Sequence, residues 1–217
     1  MKIFLDSSDI NEIKPLNKTG LIDGITTNPS LLSKQHGNFK QILKSIASEV
    51  KGPISAEVTA IKADRMIEEA KILQKIAKNI VIKIPLTLDG LIACNYLSKK
   101  KFKVNVTLCF STTQALLAAK AGATFISPFI GRLDDIGENG LDLIKSIKTV
   151  YQNYNIKTQI LAASIRSVKH VEEVSKIGAD VVTIPGKVFH ELYKHDLTDK
   201  GLESFLSDWK KSGKKIS

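Results

Sequence analysis

The stretch Ile80-Val81-Ile82-Lys83-Ile84-Pro85 sets one amine inside an otherwise apolar run. Two carboxylates stand in comparable surroundings: Asp6 closes Ile3-Phe4-Leu5-Asp6, and Glu57 sits in Ile54-Ser55-Ala56-Glu57-Val58. Burying Lys, Asp or Glu without a partner costs several kcal/mol each, so these groups must be paired, hydrated or retuned. Desolvation favours the neutral form of an amine, and a neutral amine attacks carbonyl carbons. A lysine that forms a Schiff base needs proton transfers to and from the carbinolamine, and carbon–carbon cleavage then needs a base on a substrate hydroxyl. Two separate carboxylates can divide those tasks. The plain alternative is a structural Lys–Glu or Lys–Asp pair.

Such residues must be positioned by the elements around them. Short runs rich in Ile and Val recur at 3–6, 24–27, 54–58, 80–84, 104–108, 125–129, 159–163 and 181–184, and read as strands. Helical spacing fills the intervals at 8–16, 38–50, 63–77, 89–99, 111–121, 140–154, 167–177 and 187–193. Several of these helices begin at Ser, Thr or Asp, and two end at Gly122 or Gly178, suited to a left-handed cap. Eight βα units in 217 residues predict an α/β fold of the (β/α)8 TIM-barrel type, in a single domain spanning 1–217. A doubly wound open sheet is the alternative, but no Gly-x-Gly-x-x-Gly turn supports a dinucleotide fold. A further amphipathic helix at 198–211 carries Leu202, Phe205, Leu206 and Trp209 on helical spacing. It needs a surface to cover, either the base of its own barrel or a neighbouring subunit.

Side chains alternate across a strand, so parity separates the barrel interior from the helix-facing side. Lys83 shares a face with Val81 and Pro85, away from Ile80, Ile82 and Ile84, and is expected to point inward. The same parity turns inward Asp6, Thr26 with Asn28, Glu57 with Thr59, Asn105 with Thr107, Ser127 with Phe129, and Ser164, the last set against an outward Leu161 and Ala163. Val104, Val106 and Leu108 are expected on the outer face of their strand. These polar residues gather near the C-terminal ends of their strands, where barrels of this class carry active sites. Any one of the threonines alone reads as a satisfied core group.

Composition narrows the classes. The 43% hydrophobic and 25% charged residues fit a soluble globular chain, and no apolar run approaches a signal peptide or a membrane span, so a cytoplasmic protein is expected. The net charge of +10 allows attraction to nucleic acid, anionic lipid or phosphorylated metabolites. The lysine clusters at 99–103 and 210–215 lack interleaved aromatics, so they read as a solvated face, and neither nucleic acid nor membrane is expected as a partner. Cys94 and Cys109 form no Cys-x-x-Cys pair and read as small buried residues. His36, His170, His190 and His195 lie off the strand interiors without zinc-site spacing; no metal is expected, and none receives a catalytic role.

Gly24-Ile25-Thr26-Thr27-Asn28-Pro29-Ser30-Leu31-Leu32 resembles the transaldolase family signature, and residues 80–90, IVIKIPLTLDG, resemble the segment that carries that family's Schiff-base lysine. The likeness continues through SAEVTA, VNVTLCFS, SPFIGRLDD and LAASIRS, across essentially the whole chain, and its length matches the short subfamily of transaldolases and fructose-6-phosphate aldolases. The resemblance implies a cofactor-free aldol transfer on phosphorylated sugars: a dihydroxyacetone unit passes from sedoheptulose 7-phosphate to glyceraldehyde 3-phosphate through Lys83, in the non-oxidative pentose phosphate pathway. It implies Asp6 as the base on the C4 hydroxyl, and Glu57 with Thr107 as holders of the proton-shuttling water. It further implies Asn28, Asn105 and Ser127 on the hydroxyls of the three-carbon unit, Thr26 and Phe129 against substrate, and Arg132, Ser164 and Arg166 on the phosphate. A surface pair with Asp134 or Asp135 is the alternative for Arg132. Glu57 and Phe129 are the transaldolase pair, where the aldolases carry Gln and Tyr. The subfamily also implies a homo-oligomer, a pentamer or decamer, with helix 198–211 on a neighbouring subunit.

Overall fold

A computed structural model describes residues 1–216 of the 217. β1 (Lys2–Asp6) leads to α1 (Ile10–Asn17), and β2 (Gly24–Thr26) to α2 (Pro29–Leu32) and α3 (Phe39–Glu49). Then come β3 (Ile54–Glu57), α4 (Ala63–Gln74), β4 (Ile80–Pro85), α5 (Leu88–Lys99), β5 (Val104–Cys109) and α6 (Thr112–Lys120). β6 (Phe125–Pro128) precedes α7 (Ile130–Asp134) and α8 (Gly140–Asn153); β7 (Gln159–Ala162) precedes α9 (Val168–Ile177). β8 (Val181–Ile184) is followed by α10 (Gly186–Glu191) and α11 (Asp196–Ser212). The eight strands pair in order, all parallel, and β8 closes on β1: the chain is a (β/α)8 barrel with an added C-terminal helix.

Sequence chemistry explains most of the boundaries. Ser111 and Ser167 cap α6 and α9 through the backbone N–H groups of Gln114 and His170, while Gly178 ends α9 in the left-handed conformation at φ 88°. Some helix ends differ from the sequence expectation, and two short helices are added. α1 starts later than Ser8 because Asp9, not Ser8, accepts the capping bond from Asn11. α4 stops at Gln74 rather than running to 77. The short helices α2 and α7 are additions, the first begun by Asn28 capping the Leu31 N–H with Pro29 at its first position.

The barrel interior has two layers. Phe4, Val81, Phe125, Leu161, Ala163 and Val181 form an apolar plug separate from the larger core between sheet and helices. Two residues further along four of those strands stand Asp6, Lys83, Ser127 and Thr183, on the same face and about 6–7 Å nearer the C-terminal end. β7 breaks the expected pattern: Leu161 and Ala163 face the interior, not the helices. Ser164 lies past the end of the strand at φ 59°, and that turn, not strand parity, brings it to the site. Leu108 also departs from parity. At φ 58° it forms an irregularity in the β5–β6 register, and Cys109 takes the outward position instead. Thr59 is exposed beyond β3, its backbone N–H and hydroxyl donating to Glu69.

α11 has no buried residue, and Phe205 is 75% exposed, so the helix does not close the base of its own barrel. Among the described residues no helix is long and apolar enough to cross a membrane. Cys94 and Cys109 are buried free thiols that burial pushes up to about 12.

Candidate active site

Register places the reactive groups side by side. Glu57 is the β3 neighbour of Lys83, and Asn105 is its β5 neighbour. Lys83 is only 6% exposed; its Nζ lies 3.0 Å from Glu57 Oε2 and donates to the Thr27 carbonyl at 3.0 Å. The amine therefore stands on an apolar plug but is itself held by a carboxylate and a carbonyl, not by an apolar cage. Any nucleophilic step at Nζ requires its proton to move, and Glu57 is within reach to take it.

Asp6 pairs in register with Thr26 on β2. The Thr26 hydroxyl donates to Asp6 Oδ1 at 2.8 Å and lies 2.6 Å from the Thr183 hydroxyl. Thr26 has a single hydroxyl hydrogen, so with that hydrogen on Asp6, Thr183 is the donor to Thr26. The chain Thr183 to Thr26 to Asp6 fixes which carboxylate oxygen stays free. Burial pushes Asp6 above the ordinary carboxylate range, with the Glu57 charge adding to the rise, against the lowering effects of the Thr26 hydrogen bond and the Lys83 charge. A carboxylate so raised is a stronger base.

The cavity above these groups has a volume of about 260 Å³ and is lined by Asp6, Thr26, Asn28, Lys83, Thr107, Ser127, Phe129, Arg132, Ser164 and Arg166, with Ala163 and Thr183. An adjoining cavity shares Asn28, Lys83, Thr107, Phe129 and Arg132 and reaches Glu57. Asn105 lies beneath: fully buried, it donates to the Ser55 hydroxyl at 3.1 Å and accepts from Ser127 at 2.7 Å. The buried Thr107 hydroxyl has no protein hydrogen-bond partner. Arg132 packs its guanidinium 5.2 Å from the centre of the Phe129 ring. The surface ion pair that is the alternative for Arg132 is made instead by Arg166, whose Nη2 donates to Asp135 Oδ2 at 2.7 Å, while Asp134 lies 3.3 Å from His170 Nε2.

The family model for transaldolase/fructose-6-phosphate aldolase matches residues 3–216. The chain belongs to that family. It is 59% identical to a probable transaldolase of Brucella anthropi and 60% identical to one of Caulobacter vibrioides, each alignment covering all of both chains. An inosine 5′-monophosphate dehydrogenase structure from Legionella pneumophila superposes with a TM-score of 0.60 over 87% of this chain and 58% of that one, at 13% identity, a likeness of fold alone.

Of the residues expected at this transaldolase-family site, ten line the first cavity, Glu57 lines its neighbour, and Asn105 supports Ser127 from below. Thr183 and Ser55 join these residues without a sequence expectation, bonded to Thr26 and Asn105. Thr183 is the one polar residue of β8, on the interior parity with Val181, and that pattern was the available signal. Ser55 shares parity with Glu57. His170 also touches Arg166, its Nδ1 accepting from the Arg166 backbone N–H at 3.3 Å; no strand pattern marks a helix residue of this kind. Among the described residues there is no group of three His, Cys, Asp or Glu side chains placed to hold a metal.

Proposed function

We propose that this chain is a transaldolase working through a Schiff base on Lys83. The observation that carries the reading is the buried Lys83 amine, 3.0 Å from Glu57, on the wall of a cavity it shares with Asp6. Nζ attacks the C2 carbonyl of a ketose phosphate, the carbinolamine loses water, and Glu57 and Thr107 hold the water that carries the protons. The unpartnered Thr107 hydroxyl fits that duty. Asp6 takes the C4 hydroxyl proton; the C3–C4 bond breaks, its electrons pass into the iminium, and the aldose phosphate leaves. The enamine on Lys83 then attacks the acceptor aldehyde, Asp6 returns the proton, and water releases the new ketose. Asn28, with Ser127 seated on Asn105, meets the hydroxyls of the three-carbon unit; Arg132, Ser164 and Arg166 take the phosphate, where guanidinium forks suit the ligand.

Transfer is favoured over release of free dihydroxyacetone because Phe129 offers no hydroxyl to place a water at the enamine, and it packs against Phe110 and Arg132. With fructose 6-phosphate as donor, product should form only when erythrose 4-phosphate or glyceraldehyde 3-phosphate is present. Free dihydroxyacetone released without acceptor at the rate of transfer would identify an aldolase instead. The pathway setting is the interconversion of pentose and heptose phosphates in the cytoplasm, a compartment that fits two buried free thiols.

A second copy of this chain is the proposed cover for α11, whose Leu202, Phe205, Leu206 and Trp209 are all exposed in the single chain. Light scattering should show an oligomer, a pentamer or decamer, that Phe205→Glu breaks down. A monomeric wild type would contradict this.

A further inference from the structure

Three residues of the proposed phosphate end converge on one glycine. Gly131 precedes Arg132 in α7, and its N–H donates to the Ser164 carbonyl at 2.9 Å. A Cβ at Gly131 would stand 2.5 Å from that carbonyl oxygen, 2.6 Å from Arg166 Nε and 2.7 Å from Arg166 Cγ. No carbon fits there, so the Arg166 stem lies in a slot that only glycine leaves open. One helical turn further on, the Asp135 N–H donates to the Gly131 carbonyl, and the Asp135 carboxylate accepts from Arg166 Nη2 at 2.7 Å. Arg166 therefore runs along one face of α7, its stem over Gly131 and its tip at Asp135. The backbone N–H of Arg166 is tied in turn to His170.

We propose that Gly131 and Asp135 are positioning residues for phosphate recognition: the slot and the carboxylate together hold an otherwise exposed Arg166 so that its remaining N–H donors face the cavity. This deepens the reading of Arg132, Ser164 and Arg166 as the phosphate site and rests on it. A long side chain on the surface loses rotamer freedom when it grips a ligand, and pre-arranging it removes part of that cost.

The test is steady-state kinetics on the full chain, with inorganic phosphate as competitive inhibitor. Gly131→Ala should raise KM for fructose 6-phosphate, and the inhibition constant of phosphate, by about tenfold, while kcat stays within about twofold. Borohydride trapping of dihydroxyacetone, which carries no phosphate, should label Lys83 as in the wild type. Asp135→Asn, an exposed change expected to fold normally, should raise the same KM by about threefold. Both penalties should vanish in an Arg166→Ala background. An unchanged KM in Asp135→Asn, or a Gly131→Ala penalty that persists without Arg166, overturns the inference while leaving the phosphate site standing. Phosphate inhibition indifferent to Arg166→Ala removes the underlying reading, and the inference with it.

Discussion

The two layers of the barrel interior are separated by a single step along the strands, yet they obey opposite rules. In the lower layer Phe4, Val81, Phe125, Leu161 and Val181 are all less than 5% exposed and touch mainly each other, with Phe4 edge-on to Phe125. In the upper layer Asp6, Glu57 and Lys83 crowd charge into the same barrel, held by a few hydrogen bonds. The plug supplies stability by removing apolar surface from water. The polar layer draws on that stability to keep ionisable groups away from solvent, where small movements of protons can do work. Alternation along one strand thus serves structure at one level of the barrel and chemistry at the next.

The largest expected effect lies in the polar layer. Lys83→Met should lower the proposed three-carbon transfer by about 10⁴-fold or more, since Lys83 is the one lysine lining the cavity. It should also destabilise the fold by about 3–5 kcal/mol in urea titration, because Glu57 loses its buried partner. Lys83→Met with Glu57→Gln should recover that stability without recovering activity. A recovery of both would break the division between the layers.

Next is the plug: Phe4→Ala should cost about 3–5 kcal/mol in the same titration, yet leave the borohydride-trapped fraction at Lys83 unchanged in protein that remains folded. Asp6→Asn should do the reverse, lowering kcat by about 10²–10³-fold at little cost in stability. Its pH dependence carries a sign. The folded state holds the Asp6 proton more tightly than the unfolded chain, so the stability Asp6 contributes is complete below the ordinary value of 3.8 and is lost as pH rises through the raised folded value. Melting temperatures across mildly acidic pH should therefore fall more steeply in the wild type than in Asp6→Asn. The smallest effect is expected from Thr107→Val, which removes a buried hydroxyl without a protein partner: stability unchanged or slightly raised, with kcat about tenfold lower.

Much of this was legible in the sequence because a barrel strand reports its two faces by parity. The eight strands, the inward Lys83 and the neighbouring polar residues follow from Ile and Val placed at alternate positions. Parity failed in β7, where Ser164, lying past the strand end, set Leu161 on the wrong face, and at other places where the backbone left the strand. Ser164 and Leu108 adopt positive φ, which no local composition marks in a residue other than glycine, and Thr59 lies past the end of β3. The pairing of Arg166 with Asp135 could not be read either, because both sit beyond strand ends and meet only after β6 and β7 align. Thr183 was within reach of the same parity argument that found Thr26.

The most direct test is borohydride reduction of the protein with fructose 6-phosphate, followed by peptide mass spectrometry. Lys83 as the Schiff-base residue predicts a reduced three-carbon adduct on that lysine alone, and its loss in Lys83→Met. An adduct on another lysine, or none at saturating sugar phosphate in a protein that still transfers the three-carbon unit, would contradict it.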